Sequence, residues 1–564
     1  MVIGNANNIN LSASSFEKII ANDYLYVDKS KFIEHFLAKR SDVEIVARQR
    51  RIGKSLNLDM LNCFLTDKED NRHLFEDLYI RTSPVWSYVN SSPVFLFDFK
   101  ELNAILYKKE IWDKINRFMC HYLIGDDIDP EALNIYDSWK ASSYDPKTGN
   151  RMYEDTTGFQ ALTEMVYKIT GKRSYILIDE YDNPMNHASS LELYNEMRSY
   201  FTELFSKGFK GNKYLEKGFL TGVLRISHED LLSGLNNPET FDVFADRAYG
   251  SDYGLSEEEA TELCSIAGLD LDLIRKWYNG VRIGGYDIYN TFSVMSAVAS
   301  RSISCFWGQS GTLDRIKSII SPEQKAKLIM GLGNGASFAS SINSRINLRM
   351  LKLDCDDSTL YSLLVQSGYL RLESWDSKND AGIVSIPNEE LETVWRKFIF
   401  GDSLNNGNLN SFLRDLSDLE NLSNNIVRFL VPLFDALSVH DLPEGEYKYK
   451  NGKTYRKIPE IYYHQILLTA FYAIKSDLGY RLLLSNRESG DGRYDILLDM
   501  GELVIIFELK SGRKSDRAET LAKNAIEQVK NKRYGADLGK PVIAVGCGFS
   551  QKRVMVKCTR TDLV

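Results

Sequence analysis

The sequence predicts a mixed α/β protein: a mostly parallel sheet with a helical lid, followed by a smaller α/β domain. Three observations carry this expectation. Short apolar runs alternate with amphipathic stretches through the first half, the pattern of a parallel sheet covered on both faces. Helical patterns then dominate, and a β-hairpin pattern returns near the end. Between these last two lies DSLNNGNLNSF (402–412), polar and rich in glycine and asparagine, which marks a boundary. The expected parts are 1–250, a helical, winged-helix-like region at 251–400, and 401–564.

Taken in order, the strands expected in the first part are VEIVA (43–47), PVFLFDF (93–99), SYILIDE (174–180) and GFLTGVL (218–224). SLNLDMLNCFL forms an amphipathic helix after the first, with Leu56, Met60 and Phe64 on one side. LSEEEATELCSIAG starts the second part: Ser256 and Glu259 have the spacing of a capping box, and Gly268 stops the helix. In the third part EIYYHQILLTAFYAI (460–474) is a helix, and Tyr494 to Lys510 a hairpin.

A chain of 564 residues is too long for one core. Its seven scattered cysteines lack a C-x-x-C pair and its histidines lack zinc spacing, which fits a reducing, cytoplasmic setting and excludes a zinc module. MVIGNANNINLSASS has no signal-peptide pattern, and IVRFLVPLFDAL is too short and too charged to cross a bilayer. The net charge is -8, yet from Gly501 onward thirteen Lys/Arg stand against seven Asp/Glu. That asymmetry admits a polyanion partner at the C-terminal end.

Gly53, Lys54 and Ser55 end EIVARQRRIGKS like a phosphate-binding P-loop, although Arg48 occupies the first glycine position. Strand, loop and helix follow in the order the chemistry needs. Backbone N–H groups and the helix N-terminus would cradle phosphate, with Lys54 neutralising its charge and Ser55 reaching Mg²⁺. Asp179 and Glu180, ending a second apolar strand, would organise the metal and orient or deprotonate a water. Arg48, Arg50 and Arg51 are expected to bring cations to the phosphates, and Arg225, after a further strand, to face the γ-phosphate.

YLYVDKSKFIEHFL, RQRRIGKSLNLDML, LIDEYDNPM, FLTGVLRIS and KWYNGVRIGGYDIYNTFSVM together resemble the AAA-ATPase-like bacterial family, typically joined to a PD-(D/E)XK nuclease-superfamily domain. The resemblance spans roughly residues 10–400 and implies a P-loop NTPase fold and ATP binding at Gly53, Lys54 and Ser55 with Asp179 and Glu180 behind. It also makes an arginine-rich loop a family trait, although Gln49 stands where the family usually has proline.

The apolar strand Leu503–Phe507 ends in Glu508-Leu509-Lys510. Residues two apart on a strand share a face. A turn centred between Met500 and Gly501 would set Asp495 opposite Ile506 and Arg493 opposite Glu508, leaving Asp495, Glu508 and Lys510 on one face. Two carboxylates and a lysine there suit phosphodiester hydrolysis: Asp495 and Glu508 ligate Mg²⁺ or Mn²⁺ and Lys510 aligns or deprotonates water. The spacing D-x₁₂-E-x-K resembles the PD-(D/E)XK, restriction-endonuclease-like core. That resemblance implies Gln528 and Tyr534 as accessory residues and Glu460 as a third acid; His464 reads as a core histidine.

The expected function is an ATPase coupled to a metal-dependent nuclease acting on nucleic acid, DNA foremost, with a homo-oligomer compatible with it. Two alternatives stand beside it. One is a nucleotide-dependent switch or scaffold with an inactive nuclease-like binding domain, and the other an ATPase acting on protein partners.

Overall fold

The computed structural model describes residues 1–564 except 125–127, 146, 226–234, 236–237, 245–247, 308–319, 322–323, 325–327, 329–336, 347–354, 401–415, 437–443, 449–452, 474–479, 551–552 and 562–564. Two compact units result: Met1–Gln309 with Ala339–Glu390, and Ser310–Phe338 with Leu391–Val564. The segment 251–400 is therefore divided between them, and the boundary expected at 402–412 lies outside the described residues.

The first unit is built on five parallel strands, β1 (Val43–Ala47), β2 (Val94–Asp98), β3 (Ser174–Asp179), β4 (Leu215–Gly222) and β5 (Glu239–Phe241), in the order β2-β3-β4-β1-β5. Helix α1 (Lys54–Leu65) packs on one face. There Val46, Val94, Leu177 and Phe219 join Leu58, Met60 and Phe64 in one core. On the opposite face Phe97 meets Phe159 of α2 (Gly158–Thr170) at 4.8 Å, with α3 (Leu191–Phe209) behind. Burial on both faces is why these strands are apolar at consecutive positions rather than at alternate ones. Register sets Ala47 beside Gly222 and Asp179 beside Thr221. The C-terminal ends of β1, β4 and β3 thus line one sheet edge.

Beyond the sheet, α4 (Glu257–Ala267) carries the expected capping box, Ser256 with Glu259, and stops at left-handed Gly268. Two β elements stand among the helices of this region. Strands β6 (Asn279–Ile283) and β7 (Tyr286–Tyr289) form a hairpin before α5 (Thr291–Ser300). β8 (Phe338–Ser341), β9 (Arg371–Asp376) and β10 (Ala381–Ser385) make a small sheet, with α6 (Asp357–Gln366) before β9.

In the second unit, α7 (Leu419–Ala436) and α8 (Glu460–Ala473) accompany a mixed sheet of β11 (Leu482–Ser485), β12 (Ile496–Asp499), β13 (Val504–Gly512), β14 (Val542–Ser550) and β15 (Arg553–Thr561), in that spatial order. Only β13 and β14 run parallel. They are joined through α9 (Ala518–Asn531), which lies on β13, β14 and β15. Two glycines admit that helix: a Cβ at Gly546 would lie 2.3 Å from the Ala522 carbonyl oxygen, and one at Gly548 2.0 Å from that of Ala518. Helix backbone cannot yield as a flexible side chain does. Gly546→Val is accordingly expected to cost about 2–3 kcal/mol, read as a lowered urea midpoint for the second unit.

Candidate functional sites

At the edge formed by β1, β3 and β4, Gly53 caps α1 with φ 91. A Cβ there would meet nothing within 4 Å, so left-handed backbone rather than crowding calls for glycine. Lys54 is buried and its Nζ donates to the Gln49 carbonyl at 2.9 Å. Burial holds its ammonium below the ordinary lysine value, while Glu180, Asp179 and Asp182 oppose that shift. Asp179 lies beside Ser55 and Lys54: its carboxyl is raised by burial, and both side chains oppose that shift. Glu180 stands next to Asp179 with φ 55, its N–H donating to Asp179 Oδ1 at 3.0 Å. Lys54, Ser55, Asp179 and Glu180 therefore come together.

The arginines do not join them. Arg48 is 0 % exposed, donates to the Ala47 carbonyl at 2.9 Å and lies 5.7 Å from the Tyr253 ring centroid. Burial lowers its guanidinium to about 10. Arg51 donates to the Phe306 carbonyl and covers the Phe292 ring at 4.5 Å. Arg225 pairs with Asp242 at 2.6 Å, and its N–H donates to Gln366. All three are held by protein groups in this structure. Sequence reasoning also missed Asp182. Its buried carboxylate accepts from Val223 and Leu224 N–H and is pushed up to about 6 by burial first and Glu180 second. It fits because Gly222 has no Cβ, which would lie 2.3 Å from Asp182 Oδ1.

In the second unit the hairpin register differs from the one expected. Ile496 pairs with Phe507 and Asp499 with Val504, leaving a four-residue loop with Gly501 at φ 94. Met500 N–H donates to the Leu503 carbonyl, and Gly501 N–H to Asp499 Oδ1. One step beyond Ile496, Asp495 comes level with Glu508 rather than Ile506, and Arg493 pairs with Glu488 instead of Glu508. The two-residue shift preserves the face, so Asp495, Glu508 and Lys510 still converge.

Glu508 is 2 % exposed. Its Oε1 accepts from Lys510 Nζ at 3.0 Å, and its Oε2 is buried with no hydrogen-bond partner among the described residues. Burial first and Asp495 second push its carboxyl up to about 7. Asp495 accepts from Leu509 N–H at 2.8 Å and is raised by burial. For Lys510, burial alone would lower the ammonium, but Glu508 and Glu460 outweigh it and hold it above its ordinary value. Glu460 Oε2 accepts from Ser511 N–H at 3.2 Å and lies 3.9 Å from Lys510. Gln528 donates to the Tyr534 hydroxyl at 3.2 Å, and Tyr534 feels Glu508, Asp495 and Lys510.

No group of three His, Cys, Asp or Glu among the described residues is arranged to hold a metal ion; Glu460 is drawn to Ser511 and Lys510. The Asp495–Glu508 pair nevertheless fits a hard cation, because one buried carboxylate oxygen lacks a donor and both acids would lose proton affinity beside positive charge.

Residues 10–232 match the family model described as predicted AAA-ATPase, and residues 458–558 that of the PD-(D/E)XK nuclease superfamily. The chain thus carries an AAA-ATPase-like domain and a PD-(D/E)XK nuclease-superfamily domain, in that order. An uncharacterized protein in the vnfD 5′ region of Azotobacter chroococcum mcd 1 is 25% identical over 558 residues, 96% of either chain. The Walker-type ATPase PABY2304 of Pyrococcus abyssi is similar at 15% identity and a TM-score of 0.34, over 66% of this chain and 96% of that one.

The Glu508 carboxyl rises from 4.5 to about 7 on folding. Below pH 4.5 it is protonated folded and unfolded alike. Between 4.5 and 7 the unfolded chain releases the proton first, so stability falls as pH rises, and it levels off above 7. In metal-free buffer Glu508→Gln should therefore gain on the parent by on the order of 2 kcal/mol between pH 5 and pH 8. Urea midpoints at both pH values measure this; parallel behaviour of the two proteins would contradict it.

Proposed function

We propose that the chain is an ATP-binding ATPase joined to a Mg²⁺- or Mn²⁺-dependent phosphodiesterase that cuts nucleic acid, DNA foremost. The observation that carries the nuclease reading is the buried Glu508 Oε2, without a hydrogen-bond partner among the described residues, beside Asp495, with Lys510 at 3.0 Å from the other oxygen. A divalent cation held by Asp495 and Glu508 would supply the charge that polarises a phosphodiester and acidifies water. Lys510 stays protonated between its two acids and presents N–H donors where charge grows on the phosphate oxygens. Orienting the diester and its water is therefore its role, rather than removing a proton. Tyr534 borders the same acids and Gln528 donates to its hydroxyl; the two would fix the orientation of a bound strand.

In the first unit, Gly53, Lys54 and Ser55 would hold the phosphates of ATP. Ser55 and Asp179 would hold its Mg²⁺, and Glu180 would orient the attacking water. Lys54 must then exchange the Gln49 carbonyl for a phosphate oxygen. That engagement, with Arg48 and Arg51 turned to aromatic rings, favours a second reading, a nucleotide-dependent switch with a binding-only nuclease-like domain. No described helix is long and apolar enough to cross a membrane; we place the protein in a bacterial cytoplasm, with self-association open to measurement.

Plasmid, single-stranded DNA and RNA incubated with Mg²⁺ or Mn²⁺, with and without ATP, decide between these. Cleavage is expected, with Asp495→Ala or Glu508→Ala reducing it by at least about a hundredfold. ATP retention without cleavage of any substrate would establish the switch instead. Lys54→Ala is expected to abolish ATP binding in equilibrium dialysis and to alter the cleavage rate. An unaltered rate would remove the coupling while leaving both sites standing.

A further inference from the structure

Helix α8 is apolar almost throughout, yet it carries Glu460 and, one turn on, His464. We infer that His464 is a positioning residue for Asp495: its Nε2–H holds the Asp495 main-chain carbonyl and so keeps the carboxylate beside Glu508. This rests on reading Asp495 and Glu508 as the cation-holding pair.

His464 is 4 % exposed. Its Nε2 lies 3.0 Å from the Asp495 carbonyl oxygen and 2.9 Å from Ser485 Oγ. A carbonyl only accepts, so the proton sits on Nε2, with the serine hydroxyl as its second neighbour. The other ring nitrogen, Nδ1, is buried and has no hydrogen-bond partner among the described residues.

The place where this donor acts is informative. Asp495 stands just outside β12, where the ladder with β11 has ended. Asn486, next to Ser485, has turned into left-handed backbone at φ 50, though its N–H still donates to the same carbonyl at 3.2 Å. Without the histidine, that bond would be the only restraint on the Asp495 carbonyl among the described residues. With it, the residue is fixed at both ends, by His464 and Asn486 on the main chain and by Leu509 N–H on the carboxylate.

Glu460 does the corresponding work on the neighbouring strand, accepting Ser511 N–H just past Lys510. Side chains four apart share one helix face. One rigid helix thus grips both strands of the hairpin and sets the spacing of the two acids, a more exact support than a loop gives.

A histidine present only to fill space would be replaced equally well by either amide side chain. A positioning donor would not. Glutamine puts its amide nitrogen near the place of Nε2, and asparagine puts it near Nδ1. Mn²⁺ affinity is measured by calorimetry on the full-length protein, with kcat and KM for a cleaved oligonucleotide measured in parallel. His464→Gln should stay within about threefold of the parent. His464→Asn should bind Mn²⁺ about tenfold more weakly and lower kcat by a similar factor, with KM within twofold. Equal behaviour of the two variants, whether both intact or both impaired, overturns the inference while leaving the proposed function in place. A parent protein that neither binds Mn²⁺ nor cleaves overturns both.

Discussion

Desolvation of carboxylates is the constraint around which both candidate sites are arranged. Asp179, Asp182, Asp495 and Glu508 are all raised by burial, as the leading cause in each case. Each stands in or just beyond a strand of an apolar sheet, where water is excluded and an unpaired negative charge is expensive. The fold answers with one lysine per site, Lys54 beside Asp179 and Lys510 beside Glu508, and with main-chain N–H groups for Asp182 and Asp495. In the first unit the answer is nearly complete. In the second, one oxygen of Glu508 is left over.

How much of this was legible in the sequence depended on how local the determining contact is. The strands Val43–Ala47, Val94–Asp98 and Ser174–Asp179 fall where continuous apolar runs predict them. The capping box at Ser256 needs nothing beyond four residues. By contrast β5 is three residues of no particular periodicity, set by long-range pairing with β1 and by burial of Phe241. The β6–β7 hairpin was hidden inside apparently helical sequence, although Gly284-Gly285 between its strands was an available signal; both have positive φ, as such a turn requires.

The site shows the same division. That Asp495, Glu508 and Lys510 share a face follows from parity, and parity survives a register shift of two. The register itself depends on the Met500–Leu503 loop, whose hydrogen bonds no residue pattern announced. The partners that hold Arg48 and Arg51 are illegible in the sequence for a different reason. An arginine next to a G-K-S tripeptide suggests a phosphate partner, but a guanidinium is satisfied equally by a carbonyl and an aromatic face. Tyr253 and Phe292 lie some two hundred residues onward, and nothing near position 50 points to them.

The unequal satisfaction of the two sites bears on what each is built to do. A buried polar atom without a partner costs roughly 1–3 kcal/mol. A chain whose second unit served only as a scaffold would be relieved of that cost by an amide or an apolar side chain at position 508. Here the opposite holds: the carboxylate is sealed in, placed level with a second acid, and braced by α8 through Glu460 and His464 on both flanking strands. Such rigidity makes the mutual repulsion of the acids harder to escape, since neither can swing into water. A cation between them removes that repulsion and fills the empty acceptor at once. The same bracing that is a liability to the metal-free fold is therefore what would make cation binding favourable, and the two effects share one origin in the fixed separation of Asp495 and Glu508.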